Sequence, residues 1–126
     1  MATEFYEFIE GLSIEAERAI KAELSRRAFL ERVGFGLFMP LTINIITDAG
    51  SASLVFLDDG SVQWRKNLST NPNNIIQADF GTLKELYSSR NKNQFIRVER
   101  EGKIKITNND LKGQQAERKI RELLGS

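Results

Sequence analysis

The sequence predicts an α+β domain built on a sheet of about five strands. Residues 41–66 contain three short runs rich in β-branched and aromatic side chains, separated by glycine-containing turns, which is typical of an antiparallel meander. The flanking segments instead carry apolar residues at helical spacing. At 126 residues the chain has the length of one domain. We therefore predict a single domain over 1–126, with N-terminal helices in 1–40 and the sheet with its covering helices in 41–126.

The first forty residues predict two helices. The sequence EFYEFIEGL, residues 4–12, is a short helix with a wide apolar face. Ser13 is predicted to cap a longer helix, because glutamates follow it in the first turn, where the helix dipole favours anions. Apolar residues then recur every four positions from 16 to 28. Gly34 suits the end of this helix, so VGFGLF at 33–38 indicates a helix end and a turn rather than a nucleotide-binding loop.

The middle of the chain predicts the sheet and a helix behind it. Three antiparallel strands are expected in LTINIIT, ASLVFL and VQWRKN, and IIQADF is a fourth strand after an NPNN loop. The next segment, TLKELYSSR, predicts a helix in which Thr82 and Glu85 form a capping box. NKNQFIRVE fits either a helical turn or extended chain.

The end of the chain predicts a late strand followed by a helix. Residues 103–107 alternate basic and apolar side chains, so Ile104 and Ile106 point to one side of a half-buried strand. In QQAERKIRELLG, apolar residues from Ala116 to Leu124 recur at i, i+4, i+7 and i+8, which is helical spacing. The predicted sheet is therefore covered mainly on one face.

The composition argues against an enzyme. The chain has no histidine and no cysteine, which removes the commonest general base, the usual soft metal ligand and the thiol nucleophile. Asp58 and Asp59 are an adjacent carboxylate pair, but they precede Gly60 between two strand-like runs, which is typical of a hairpin turn. We predict no catalytic residue, no metal and no cofactor.

The charge pattern and the absence of long apolar runs limit the classes of partner that we expect. Residues 84–126 hold eleven basic and six acidic side chains, a net +5, but the two signs are interleaved. We therefore favour a solvated face over a nucleic-acid interface. No apolar run approaches the roughly 20 residues of a membrane span. The first residues carry glutamates where a secretory signal would be basic, so we expect a cytoplasmic protein with at most transient membrane contact.

From about residue 75 to 124, the sequence resembles the second half of the sterol-carrier-protein-2 (SCP2) family of lipid-binding domains. The resemblance rests on IIQADF, TLKELYSS, NQFIRVEREG, KIKIT and AERKIRELLG, which follow the family's order of strand, leucine-rich helix, phenylalanine-bearing stretch, lysine/apolar strand and apolar helix. The meander also lies where the family places its first three strands. The chain departs from the family in having SSRNKN after the leucine-rich helix, and Thr107 to Asp110 after the last strand.

The resemblance implies that the sheet and helices enclose an apolar cavity for a fatty-acyl, sterol-like or isoprenoid lipid, bound or transferred without catalysis. The C-terminal helix would act as a lid. The basic residues Lys112, Arg118, Lys119 and Arg121 could attract an anionic head group, although rim cations usually serve only solubility. The implied cavity wall comprises Phe80, Leu83, Leu86, Tyr87, Phe95, Ile104, Ile106, Leu111, Ile120 and Leu124.

A different class of function stays open from the residues alone. The helix at 4–12 has apolar residues over more than one stripe, which a helix buried on one side would not need. The domain could therefore be an interaction module whose aromatic helix packs on a partner or on a second copy as a homodimer.

Overall fold

The computed structural model describes residues 2–125, which form five helices and five strands. The helices are α1 (Ala2–Ser25), α2 (Phe29–Phe38), α3 (Phe80–Ser89), α4 (Lys92–Arg100) and α5 (Leu111–Gly125), and the strands are β1 (Leu41–Ile46), β2 (Ser51–Phe56), β3 (Val62–Arg65), β4 (Asn74–Ala78) and β5 (Ile104–Asn108). The α+β prediction is confirmed, as is the number of strands. None of the helices in residues 2–125 combines the length and hydrophobicity needed to span a bilayer.

All five strands lie in one mixed sheet in the order β3-β2-β1-β4-β5. β1, β2 and β3 form the predicted antiparallel meander. β4 then crosses over to pair in parallel with β1, with Ile43 opposite Asn74, and β5 pairs antiparallel with β4, with Ile76 opposite Ile106. The late strand is therefore one of the two edges of the sheet. The sequence pattern had not indicated the parallel pair.

The two faces of the sheet differ sharply in polarity. Ile43 and Ile45 of β1 are buried, and they belong to the same core as the buried residues of α1, α3, α4 and α5. Asn44 between them points to the other face, which the loop before β4 crosses. There the amide of Asn44 donates to the carbonyl of Ser69 over 2.9 Å and accepts from its N–H over 3.0 Å. Helices and loop therefore pack on opposite faces.

The N-terminal segment is one long helix rather than two. Phe5, Ile9, Leu12 and Ala16 are all buried, and their spacing of four, three and four residues makes one continuous stripe against the sheet. Ser13 is therefore not a helix cap: it lies within α1 and its hydroxyl donates to the carbonyl of residue 10. Packing of the stripe outweighs the local capping preference of the serine.

The predicted end of the second helix is also wrong. Gly34 and Gly36 both lie inside α2, which begins after Ala28 and ends at Phe38. A Cβ at Gly34 would have no neighbour within 4 Å, so the glycine meets no steric demand for a turn. VGFGLF is therefore helical, and α2 ends before Pro40, which cannot continue a helix, while Phe38 and Met39 pack against the core.

The helix after β4 begins two residues before the predicted capping box. Asp79 occupies the N-cap position and α3 starts at Phe80, so Thr82 lies within the helix and does not cap it. Instead, the N–H of Phe80 donates a hydrogen bond to the side chain of Asp48 in the β1–β2 turn, over 2.9 Å. Because this acceptor is 32 residues away, the local motif could not reveal it.

The ambiguous segment before β5 is helical. Asn91 caps α4, since its side-chain oxygen accepts from the N–H groups of Asn93 (2.9 Å) and Gln94 (3.1 Å). Two of its residues, Phe95 and Val98, are buried against the rest of the domain. The cap and these contacts together favour the helix over extended chain.

We predict that Gly113→Ala destabilises the domain, because α5 approaches the loop before β4 too closely for a side chain. A Cβ at this position would lie 2.2 Å from the carbonyl oxygen of Asn73, which is backbone and cannot turn aside. Overpacking of this kind costs about 1–3 kcal/mol, measured by urea unfolding. The control is Gly81→Ala in α3, where a Cβ meets nothing within 4 Å. It should be neutral or stabilising by no more than about 1 kcal/mol. Equal effects of the two changes would contradict the close approach.

Candidate functional site

The structure gathers most of the predicted wall residues into one place. Seven of the ten are at most 7% exposed and belong to a single apolar cluster between the sheet and the helices. They come from α3, α4, β5 and α5: Phe80, Leu83, Leu86, Phe95, Ile104, Ile120 and Leu124. Contact of these residues with a ligand stays a prediction, as does the cavity.

The remaining three predicted wall residues differ in their placement. Tyr87 and Ile106 are partly buried and pack against the cluster. Leu111 is 68% exposed at the first position of α5, so it does not line the interior. The resemblance implied Leu111 as a wall residue, but α5 begins at this residue and its side chain lies in solvent.

Aromatic side chains of α1 close one end of the cluster. The ring of Phe80 lies edge to face with Phe5 at 5.5 Å and with Phe8 at 5.6 Å between centroids. Phe8 in turn meets the ring of Tyr87 at 5.6 Å, and the Tyr87 hydroxyl donates to the carboxylate of Glu15. The aromatic residues of the first helix are thus committed to the core of their own domain. Phe5 and Ile9 have no exposed surface, which contradicts the expectation that this helix presents them to a partner.

A groove of about 460 Å³ runs between α4 and α5, immediately outside the cluster. Phe95 lines both the groove and the buried interior. The guanidinium of Arg121 lies 5.4 Å from the centre of the Phe95 ring and closes the groove from the α5 side. The other lining residues are Lys92, Ile96, Gln114, Glu117, Arg118 and Glu122.

Arg121 ties α5 to α4 through a two-point ion pair. Its two terminal nitrogens donate to the two carboxylate oxygens of Glu99 over 2.8 and 2.6 Å, while its Nε donates to Glu117 over 3.0 Å. These bonds raise the pKa of Arg121, with the hydrogen bond to Glu99 as the largest cause. The pKa of Glu117 is lowered, first by the amide of Asn108, which donates to it over 2.6 Å, and then by Arg121. We call Arg121, Glu99 and Glu117 the α5 latch.

Sequence reasoning missed a second set of polar contacts, which fixes the start of α5. We call it the asparagine junction, and it comprises Asn73, Asn74, Asn108, Asn109 and Asp110. Asn74 is buried, and its amide nitrogen donates to Asn108 over 2.7 Å and to the carbonyl of Gly113 over 2.9 Å. Its Oδ1 is buried without a hydrogen-bond partner in the part of the chain that the structure describes.

The signal for this junction was present but was interpreted locally. NPNN was predicted to be a loop, and Thr107 to Asp110 were noted only as a departure from the family pattern, since asparagine is typical of turns. The side chains instead bridge the two segments: Asn73 donates to Asp110 over 2.9 Å, and Asn109 donates to the carbonyl of Pro72 over 2.9 Å. Two asparagine-rich loops of matched composition, one before β4 and one after β5, are the feature that could have indicated their contact.

The other predicted polar positions lie at the surface. Asp58 and Asp59 occupy the exposed turn between β2 and β3, as predicted. The pKa of Asp59 is lowered because its carboxylate accepts a hydrogen bond from the N–H of Ser61, which is turn chemistry. Arg118 and Lys119 both pair with Glu122 on their own helix. Lys112 donates to the carbonyl of Pro40 over 3.1 Å.

Known structures match this architecture. No protein-family model and no curated protein sequence matches the chain. The "UbiJ-SCP2 Ubiquinone synthesis protein" superposes with a TM-score of 0.55 at 16% identity, over 93% of this chain and 98% of that one. The domain has the SCP2-like fold. At this identity the likeness establishes the fold alone.

Two further similar structures are of different kinds. The sec-alkylsulfatase Pisa1 from Pseudomonas sp. matches 69% of this chain with a TM-score of 0.51 and 17% identity, but only 13% of the enzyme's length is covered. Sterol Carrier Protein 2 Like 2 from Aedes aegypti matches 89% of this chain and 98% of that one, with a TM-score of 0.49 and 13% identity. This chain therefore spans a small part of the alkylsulfatase.

We predict that the two isoleucines of β5 differ in their contribution to stability. Ile104 is 2% exposed, so Ile104→Ala should cost about 2–5 kcal/mol in urea unfolding, from lost burial and the cavity it leaves. Ile106 is only partly buried, so its truncation should cost less. Lys105→Ala, on the exposed face of the same strand, is the control and should change stability by no more than about 0.5 kcal/mol. A cost for Ile106→Ala as large as for Ile104→Ala would contradict this order.

We predict that the contact between α5 and β5 weakens in acid. Because the pKa of Glu117 is lowered from its ordinary value of 4.5, its stabilisation is fully present above that value and is lost as the pH falls through the lowered folded-state pKa. The stability of Glu117→Gln should therefore change less than that of the original chain between neutral pH and pH values below about 4. Denaturant unfolding at each pH measures this, and parallel curves for the two proteins would contradict the assignment.

Proposed function

We propose that this SCP2-like domain binds one hydrophobic lipid in its interior and acts without catalysis. The observation that supports the proposal is the gathering of seven predicted wall residues, from four separate elements, into one apolar cluster between the sheet and the helices. An elongated apolar molecule needs a continuous apolar environment of this kind, with a few polar contacts that fix its orientation. The resemblance in the sequence and the shared fold point to the same ligand class.

Hydrophobic burial is sufficient for useful affinity. Burying about 14 methylene groups at about 0.8 kcal/mol each contributes roughly 11 kcal/mol before costs. Association costs of about 4–15 kcal/mol reduce this, and micromolar binding corresponds to about 8 kcal/mol. Lipids near this length or longer can therefore bind in the micromolar range when the ordering cost is at the low end. Neither an ionic contact nor a metal is required.

Access to the interior requires a helix to move, because the cluster residues are almost entirely shielded from solvent. We assign this movement to α5, because its first turn and its middle are held by different contacts. Its first turn is fixed by Asp110, which accepts from the N–H of Gly113 over 2.7 Å, and by Asn74. Its middle is held by the buried side chains of Ala116 and Ile120 and, at the surface, by the α5 latch, whose side chains are about one third exposed. Breaking the latch lets α5 pivot about the asparagine junction and uncovers Phe95 first.

The chemistry of the side chains favours binding over turnover. The chain contains neither histidine nor cysteine, and its adjacent carboxylate pair lies in a hairpin turn. The interaction-module alternative has lost its main support, because the aromatic residues that suggested it pack into the core of this domain. Lipid binding is therefore the function that the described residues support best.

We predict that a long-chain fatty acid binds with micromolar affinity and raises the melting temperature. A ligand present at 100 times its dissociation constant stabilises the native state by about 2.7 kcal/mol. Native mass spectrometry of the purified protein should show one lipid per chain, and the affinity should change little between low and high salt, because burial of apolar surface is not screened. No mass shift and no thermal shift across fatty acids, sterols and isoprenoids would contradict the proposal.

The α5 latch provides the matched variants for this experiment. Arg121→Gln removes the bonds to α4 and should speed uptake of a fluorescent fatty acid in stopped-flow measurements. Arg118→Gln is the control, since Arg118 pairs only with Glu122 of the same helix among the described residues and its side chain is 88% exposed. Equal uptake rates for the two variants would show that α5 does not gate access.

A further inference from the structure

The helix α2 carries a row of large apolar side chains that no part of the described chain covers. Phe29, Val33 and Leu37 are spaced four residues apart and, with Leu30, lie on one side of the helix. Their exposed fractions are 68%, 42%, 81% and 79% respectively. We call these four residues the outer face of α2. Scattered apolar residues are ordinary at a surface, but a contiguous group on one helix indicates a contact surface.

The opposite side of α2 rests on its own domain. Phe38 packs against the core, and the amine of Lys112 lies 5.8 Å from the centre of its ring. No residue of α2 is buried within the chain. A helix that is apolar on both sides is typical of a helix covered on both sides. The domain supplies one of these two covers, so the outer face is left for a partner.

The outer face is able to match a copy of itself. Its four residues carry no charge, and Val33 and Gly34 lie at the middle of the ten-residue helix. A two-fold pairing about this midpoint would therefore set apolar side chains against apolar side chains, with Leu30 of one copy opposite Leu37 of the other. The two helices would run antiparallel, which places each N-terminus beside a C-terminus, as the helix dipoles favour.

Gly34 would allow two such helices to approach closely. It is exposed, and it lies beside Leu30 and Leu37 on the helix surface, four residues after the one and three before the other. A Cβ at this position would meet nothing within 4 Å in its own chain. Glycine weakens the interior of a helix, and no contact within the described residues requires it here. Where two helices pack, a missing side chain shortens the distance between their axes.

The area of the outer face fits a reversible homodimer. Its four side chains expose on the order of 500 Å², so two copies would bury on the order of 1,000 Å² through these residues alone. A specific interface needs about 1,000 Å² in total, and interfaces near this lower bound are typical of transient complexes. The centres of homodimer interfaces are apolar and depleted in charged residues, as the outer face is.

We infer that two copies of the chain pair through the outer face of α2 as an antiparallel two-fold dimer. Leu30 of each copy packs on Leu37 of the other, and the two copies of Val33 meet at the axis. The partner is a second copy rather than an unrelated protein because the face is complementary to itself about its own midpoint. The helix α5, to which we assign the admission of lipid, is not part of this face, so the inference does not depend on the proposed function.

The first test is sedimentation velocity of the full chain between about 1 and 100 µM, where monomer should convert to dimer. The double substitution Leu30→Asp/Leu37→Asp should raise the dissociation constant at least about tenfold, because it sets carboxylates opposite each other in an apolar contact. Both leucines are about four fifths exposed, so the fold should be retained, which the melting temperature checks. Ile14→Asp, at a 51% exposed position on α1, is the control and should leave the dissociation constant unchanged.

The second test is disulfide cross-linking, which is open because the chain has no cysteine of its own. Val33→Cys places a thiol next to its symmetry mate and should give a covalent dimer with oxidised glutathione as the oxidant. Leu30→Cys is the matched control on the same face. In the antiparallel pair its two copies lie about 10 Å apart along the helices, whereas a disulfide requires Cα atoms within about 7 Å. The control should therefore cross-link at least about tenfold more slowly.

Three results would overturn the inference. The first is a chain that stays monomeric up to about 100 µM; if that monomer floats with phosphatidylcholine vesicles, the outer face would belong to a lipid surface instead. The second is a dimer whose dissociation constant is the same for the original chain and the Leu30→Asp/Leu37→Asp variant. The third is equal cross-linking of Val33→Cys and Leu30→Cys. Native mass spectrometry of the same proteins reports bound lipid separately, so either proposal can fail without the other.

Discussion

The asparagine junction is the interaction on which the rest of the structure depends. The sheet becomes mixed at β4, because the chain leaves the meander and returns to lie parallel to β1. Asn73 holds this return in both directions: its N–H donates to the carbonyl of Thr42 over 2.8 Å, and its side-chain oxygen accepts from the Thr42 N–H over 2.8 Å. The carbonyl of Asn73 then accepts from the N–H of Asn109 over 2.9 Å. One residue thus joins β1 to the segment that follows β5.

The same junction determines where α5 can lie. Asn74 is buried beneath the helix, and Gly113 passes so close to Asn73 that no side chain fits between them. Further along, Asn108 contacts Glu117 and so connects the junction to the latch. Polar contacts at its start and the burial of Ala116, Ile120 and Leu124 together hold the helix over the apolar cluster. The buried Oδ1 of Asn74 has no hydrogen-bond partner among the described residues. A buried acceptor left without a partner costs about 1–3 kcal/mol in general.

The sequence predicted those features that depend on neighbouring residues. The alternation of basic and apolar residues predicted β5, in which Ile104 is buried and Lys105 is exposed. The turn at Asp58, Asp59 and Gly60 also lies where its composition predicted it. The buried cluster followed from helical spacing together with the SCP2 resemblance, apart from Leu111 at the end of its helix. Side-chain periodicity is sufficient here because a buried face repeats with the element that carries it.

Features that depend on distant partners were missed or wrong. Ser13 looked like a cap and Thr82 like a capping box, since both motifs are local. The actual partner of the α3 N-terminus is Asp48, and the contacts of the asparagine junction span up to 39 residues. Asparagine has no periodic signature and is equally suited to a turn or to a bridge. Only the crossing of β4 to β1, a property of the whole topology, decides between them.

The first turn of α5 is also tied to the segment that follows α2. The amine of Lys112 donates to the carbonyl of Pro40 over 3.1 Å and lies 5.8 Å from the centre of the Phe38 ring. Together with Asp110 and Asn74, this contact holds the N-terminal end of α5, whereas the ion pair of Arg121 with Glu99 lies near the other end. The movement proposed for α5 would therefore leave its N-terminal end in place. A ligand shifts the equilibrium between two positions of a helix only by its difference in affinity for them. A lipid in the interior would thus favour the closed position of α5 to the extent that it gains contacts with Ile120 and Leu124 there.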